Sequence, residues 1–370
     1  MSALRATFVF FAILALVSIS CIAQLSNEPV RAAWLTNVGS DVLASRANIK
    51  NAVLLAKACG LNTLVTVVWN RGYTQYTSAT MLTHFGCAID PAFLGRDPLQ
   101  ELIEEAHQEN LKVIAWFEFG FSSAYQGSGK HILHKHPHWA SKDAHGKILE
   151  ENGFTWMNPF HPQVRNFIAS LVLEVVKNYD ADGVQGDDRL PALPAKGGYD
   201  DYTVGLYRNE HDGRHPPTNH LDSAWVEWRC KKLNDFAKEL YREVKRIKPA
   251  VVVSYAPSIW PWSKQNYLQD WPVWLMDGYV DIVMPQLYRY DLEAYEVILN
   301  ETVKKVGRHQ LGKVFPGILV SLADGYQIDE ELLLKMIKAN REAGIKGESF
   351  FYFEYLKTNR SFFKRNYIGH

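Results

Sequence analysis

Short apolar runs rich in β-branched residues alternate along this chain with longer stretches whose apolar positions recur every three to four residues. The short runs, at 31–36, 61–69, 112–119, 182–186, 251–255, 280–286, 314–320 and 348–353, read as eight strands. The longer stretches read as helices. Ser45 caps one running to 58, with apolar residues at 49, 53, 54 and 58, and Asp97-Pro98 opens one with Leu99, Leu102, Ile103 and Ala106 on one side. Others cover 164–179, 222–248, 295–306 and 328–343, Asp222 capping the longest. Such alternation closes either as a doubly wound sheet or as a (β/α)8 barrel. Eight units without a glycine-rich phosphate loop favour the α/β TIM barrel. No linker or composition break divides 24–370, so it reads as a single domain. Its long loops after strands 2, 3 and 4 lie on the face where barrel active sites form.

The N-terminus adds a location. Arg5, an apolar run from Phe8 to Val17, and Cys21-Ile22-Ala23 make 1–23 an expected export signal cleaved before Gln24. Acylation of Cys21, as in a lipoprotein, is the rival; a membrane anchor comes third because the run is short for a span. A periplasmic or extracellular protein with no stable membrane span follows. Cys59, Cys87 and Cys230 then remain, an odd number without metal-type spacing, and read as buried thiols with at most one bridge. Lys+Arg 40 and Asp+Glu 40 cancel, which removes the electrostatic case for nucleic acid or anionic membrane as the main partner. Aromatics reach 13%, with 11 Trp and 18 Tyr; most belong in the core, and the excess suits a ligand cleft.

Candidate chemistry sits at the strand ends, which a barrel brings together over its mouth. Glu118 ends the third strand, Asp187 and Asp188 the fourth, Gln286 with Tyr288 the sixth, and Glu354 the eighth. Carboxylates facing across a cleft are what glycoside hydrolysis needs: one protonated to donate to the leaving oxygen, one ionised as nucleophile or base. Asp187, Asp188 and Glu118 are therefore the catalytic candidates. Trp69, Tyr73, Trp116, Trp156, Tyr255, Trp260, Trp262 and Tyr288 are placed to stack on sugars, and Arg71, Gln185, Gln286 and Glu354 to bind hydroxyls or acidic groups.

Each feature has a plainer reading. The Asp pair can cap the next turn or bind Arg189. Side chains alternate along a strand, so only one of the pair should face the mouth unless the strand ends between them. Glu118, between Phe117 and Phe119, should have a raised pKa as a general acid requires; the alternative is a structural salt bridge to an Arg. Glu354, after 350–353, fits a closing structural role equally well. His134, His136 and His138 alternate as metal ligands on a strand would, near His131, yet nothing acidic completes a set. They read as exposed loop residues; neither a metal nor a cofactor is expected, and a metal-dependent hydrolase is the third hypothesis.

Taken together, several segments resemble glycosyl-hydrolase-like family 10, a group of bacterial (β/α)8 proteins. They are Arg31-Ala32-Ala33-Trp34, Ala106-His107, Leu111 through Glu118, Met157-Asn158-Pro159 with Pro162-Gln163-Val164-Arg165, and Tyr179 through Asp188. Trp228-Arg229, Leu268 through Trp271 and Val280 through Tyr288 complete the resemblance, which spans about 29–356. It implies a glycoside hydrolase acting on a bacterial polysaccharide, peptidoglycan glycan strands being associated with some relatives. It also implies Asp187, Asp188 and, more weakly, Glu118 as functional positions. Gly186 stands where that family usually has an aliphatic or aromatic residue, which removes a side chain beside the acids. The Asp-Gly-x-x-x-Asp run resembles chitinase-like barrels too, but Arg189 replaces their terminal Glu, which argues against substrate-assisted chemistry. A catalytically silent carbohydrate-binding barrel is the alternative function.

Overall fold

A computed structural model describes residues 29–368; the expected signal, 1–23, lies outside the described residues. Eight parallel strands form its centre: β1 (Arg31–Leu35), β2 (Thr63–Val67), β3 (Lys112–Phe117), β4 (Gly183–Gly186), β5 (Val252–Tyr255), β6 (Ile282–Val283), β7 (Gly317–Leu319) and β8 (Glu348–Phe351). They pair in the order β6-β5-β4-β3-β2-β1-β8-β7, and parallel bridges from Val283 to Val314 and Gln286 to Gly317 join β6 to β7. The circle is a (β/α)8 barrel, as the pattern predicts. β6 is short because Pro285, with no N–H to give, interrupts its ladder. Helices cover the outer face, which explains why the strands are nearly continuous apolar runs.

The helices around the barrel are α1 (Arg46–Ala58), α2 (Pro98–Gln108), α3 (Pro162–Asn178), α4 (Ser223–Ile247), α5 (Trp271–Met276), α6 (Leu292–Val306) and α7 (Glu330–Glu342). The caps read from sequence are in place: Ser45 accepts from Asn48 N–H, Asp97 from Gln100 N–H and Asp222 from Trp225 N–H. Cys59, Cys87 and Cys230 are free thiols, and burial pushes Cys59 up to about 11 and Cys230 up to about 12. Among the described residues no helix is long and apolar enough to cross a membrane.

The long connections carry structure of their own. After β2 comes a hairpin (Trp69–Asn70 with Tyr73–Thr74) and a helix, Ala79–Phe85. The insertion after β3 builds a helix, His131–Lys135, and a three-stranded antiparallel sheet from Ser122–Tyr125, Glu150–Glu151 and Phe154–Trp156. The insertion after β4 holds the helix Asp201–Glu210 and is tied to α4 by Arg229. That side chain is fully buried and donates to the carbonyls of Ala195, Gly197 and His220, with Trp225 under its guanidinium at 4.4 Å. Burial with no facing carboxylate pulls Arg229 down to about 10. Its place in the family resemblance is thus explained by an anchored loop.

Candidate active site

β4 ends at Gly186, one residue before the acids. A methyl at Gly186 would lie 2.5 Å from the Leu190 carbonyl oxygen and 2.6 Å from the Tyr255 ring. The missing side chain therefore leaves no opening: glycine lets the chain fold back so that Leu190 N–H reaches the Asp187 carbonyl at 3.0 Å. Because the strand has already ended, neither acid obeys strand alternation, and both Asp187 and Asp188 turn to the same partner.

That partner is Arg189. Its Nη2 lies 2.8 Å from Asp187 Oδ2 and 3.8 Å from Glu118 Oε1, its Nη1 lies 3.0 Å from Asp188 Oδ1, and its Nε donates to the Glu118 carbonyl at 3.0 Å. The guanidinium stacks 4.6 Å from the Phe154 ring of the β3 insertion. The plainer reading of the Asp pair, binding Arg189, is thus part of the geometry, and Glu118 shares the same cation. Burial pulls the Arg189 pKa down, but the three carboxyl groups outweigh it, and the cation is held firmly. Phe121 N–H bonds the Arg189 carbonyl at 3.0 Å across Gly120, where a Cβ would stand 2.1 Å from that oxygen. The loops after β3 and β4 are clasped together at this point.

The three acids are not equivalent. Asp187 is only 3% exposed, and both its oxygens are engaged, Oδ1 by Gln286 Nε2 at 2.8 Å and Oδ2 by Arg189. Its backbone carbonyl is held by Gln269 Nε2 at 3.0 Å. Burial, then the Asp188 charge, pushes the Asp187 carboxyl well above its usual range despite Arg189. Glu118 is 20% exposed, and burial raises its pKa, while Arg189 and a hydrogen bond from Asn70 hold the rise back. Asp188 is 23% exposed. Its Oδ1 lies at ion-pair distance from Arg189 but without hydrogen-bond alignment, leaving that oxygen unbonded among the described residues. Ser258 Oγ is 3.4 Å from its Oδ2.

Other predicted site residues separate into mouth and support. Gln286 orients Asp187 and also donates to the Ala256 carbonyl. Tyr288 lies close enough for Asp187 and Asp188 to add to the effect of burial, which together keep its hydroxyl protonated. Arg71, in the left-handed region at φ 50, places its guanidinium 5.9 Å over Tyr125, and its charge reaches Glu118. Trp69, Trp116, Gln185 and Tyr255 are buried. Trp69 donates to the Gly120 carbonyl, Gln185 bridges Trp34 and Ser254 inside the barrel, and Tyr255 packs against Gly186. In this structure these four shape the floor and cannot touch a substrate. Trp260 lies under Lys305 Nζ at 3.9 Å, and Glu354 binds Ser40 and Lys357, a closing role.

The histidines do not line one face. His134 is exposed on its helix, His136 stacks on Trp139 at 4.1 Å, and His138 bonds Gln163 at 2.8 Å. Among the described residues no three His, Cys, Asp or Glu side chains are grouped to hold a metal ion. Sequence reading missed Asn70, Ser258 and Tyr267, and had Gln269 only as part of a segment carrying the family resemblance. Only Asn70, a polar residue just past the end of β2, carried a positional signal.

The arrangement matches known proteins at two levels. The family model described as Glycosyl hydrolase-like 10 matches residues 29–332. The chain belongs to that family. Among its relatives, Glycosyl hydrolase YngK of Bacillus subtilis is 24% identical over 316 residues, 74% of this chain. The chain spans 58% of that relative's length. Glycosyl hydrolase DigH of Escherichia coli is 24% identical over 330 residues, covering 73% of this chain and 70% of that protein. In fold, the PgaB (BpsB) glycoside hydrolase domain from Bordetella bronchiseptica superposes with a TM-score of 0.70 at 17% identity, over 91% of this chain and 98% of that domain. The catalytic domain of a β-amylase from Paenibacillus polymyxa gives 0.65 at 12% identity, over 92% and 98%. The family agrees with the resemblance read from the sequence, and the fold with the (β/α)8 barrel read from its pattern.

Proposed function

We propose that this protein is an exported glycoside hydrolase that cleaves O-glycosidic bonds in a bacterial polysaccharide, with peptidoglycan glycan strands the first substrate to test. The observation that carries the reading is the set of three unlike carboxyl groups around one guanidinium at the barrel mouth. Glu118 is the general acid, because burial raises its pKa in the direction a general acid requires while one edge remains accessible. Asp188 is the reacting carboxylate, nucleophile or base on water, because it is the most exposed of the three acids and its Oδ2 has only the long contact to Ser258. Asp187, locked by Gln286 and Arg189, orients the guanidinium and positions the other two.

A second reading, a silent carbohydrate-binding barrel, is favoured by the same ion pairs, since structural networks also shift pKa values. The deciding experiment incubates the mature protein with peptidoglycan glycan strands, intact and stripped of peptides, and detects new reducing ends by mass spectrometry. Glu118→Gln and Asp188→Asn should each lower the rate by roughly 10²–10⁴-fold. Wild-type rates in both variants would remove the assignment. Retention on the strands without products would establish the binding barrel instead.

A further inference from the structure

Beside the acids lies an aromatic ledge that the catalytic arrangement does not use. Trp262 opens the short helix Trp262–Tyr267 and leaves 42% of its surface in solvent. Its ring meets Tyr267 at 5.3 Å and 40°, and Tyr267 is backed by buried Trp156 at 5.8 Å. An exposed indole held against a second ring is a rigid apolar surface kept in water.

This ledge is fastened to the acid-bearing loop. Leu193 N–H bonds the Tyr267 carbonyl at 3.0 Å and Ala195 N–H the Asn266 carbonyl at 2.8 Å. Two residues past Tyr267, Gln269 holds the Asp187 carbonyl. Burial and then the Asp188 charge raise the Tyr267 pKa, which places its hydroxyl within electrostatic reach of the reacting carboxylate. A polar edge completes the surface: exposed Asn152 donates to the Tyr267 hydroxyl at 2.9 Å, leaving that hydroxyl's own proton to give outward. An apolar face bordered by an amide and a hydroxyl is the complement of a pyranose, whose C–H face is apolar and whose hydroxyls radiate from its rim.

We propose that Trp262 and Tyr267 form a distal sugar subsite, on which a pyranose ring of the glycan chain stacks away from the bond being cleaved, with Asn152 and the Tyr267 hydroxyl binding its rim. The proposal rests on the glycan reading above and adds a chain-length preference to it. The probe is peptidoglycan glycan strands stripped of peptides and fractionated by length. Trp262→Ala and Trp262→Phe are made in the active protein and in Asp188→Asn. Strands long enough to reach the ledge should bind Trp262→Ala/Asp188→Asn about tenfold more weakly than Asp188→Asn alone, while the shortest fragments bind alike. In the active protein, Trp262→Ala should raise KM on long strands and leave kcat unchanged, and Trp262→Phe should restore most of the loss. Equal binding and cleavage at every length in Trp262→Ala would overturn the subsite and leave the hydrolase standing. Binding that depends on Trp262 without cleavage by the active protein would do the reverse. Absence of both binding and cleavage would overturn the two together.

Discussion

At the scale of single residues the site is governed by what surrounds Glu118. Burial raises its pKa, and the Asn70 side-chain amide, bonded to Oε2, opposes the rise by favouring the charged form. Arg189 opposes the rise more strongly and stays in place; Asn70→Ala removes the hydrogen-bonded share of the opposition, so the folded pKa of Glu118 climbs further. A general acid works while protonated, so the alkaline limb of the pH–rate profile should move to higher pH with little change in KM. An unmoved limb in Asn70→Ala would show that Glu118 is not the group it reports. At this scale the sequence told the acids apart from the core because a carboxylate at a strand end has few structural reasons to be there. It did not separate Trp116 or Gln185 from the mouth, since inward positions on a barrel strand point at the packed interior until the last residue or two. Arg189 was legible as a partner of the Asp pair, but its tie to Glu118, 71 residues upstream, required the barrel's closure.

Elements show a similar division. The eight strands and the main helices were legible because β-branched runs and 3.6-residue periods persist over whole elements. The small sheet of the β3 insertion was not, because its strands, Ser122–Tyr125, Glu150–Glu151 and Phe154–Trp156, lack the β-branched apolar runs that mark the barrel strands. What holds that insertion in place can be tested at Gly120. Its φ of 50 and the Arg189 carbonyl, 2.1 Å from where a Cβ would be, make Gly120→Ala a backbone clash. A loss of more than about 2 kcal/mol in urea unfolding is expected, and an unchanged midpoint would show that the clasp is not needed.

Where the β2 and β3 insertions meet the start of α3, rings of His84, His136, His138 and His161 follow one another at 5.6–5.9 Å beside Trp139. Burial lowers the pKa of His84, His136 and His161, with neighbouring histidines adding to the effect at the last two. Histidines held below their unfolded value stabilise the fold above about pH 6.5, and that share is lost as pH falls through the folded pKa. Asp187 and Glu118, whose pKa values burial raises, act in the opposite sense, so the test is a difference: on going from pH 7.5 to 5.5 the urea midpoint should shift further downward in the unsubstituted protein than in His136→Phe, which keeps the stack on Trp139. Equal shifts would rule His136 out as a contributor.

For the molecule as a whole, one continuous core runs from the barrel interior to the surrounding helices, and the inserted loops pack onto it. This is why family membership could be read from short motifs spread over most of the chain: each motif sits where an element enters or leaves the same barrel. The convergence of Glu118, Asp187 and Asp188 on Arg189 has a consequence for heat measurements as well. Burial raises the pKa of both Glu118 and Asp187 beside this one cation, so the free site holds protons to a higher pH than carboxylates in bulk water do. A sugar that displaces water from the mouth must change that occupancy. Isothermal titration of glycan fragments at pH 6 should then give apparent enthalpies that depend on the ionisation heat of the buffer, the slope counting protons exchanged per molecule bound. Asp187→Asn should flatten that slope, and buffer-independent enthalpies in the unsubstituted protein would mean that sugar binding leaves the protons of Glu118 and Asp187 where they were.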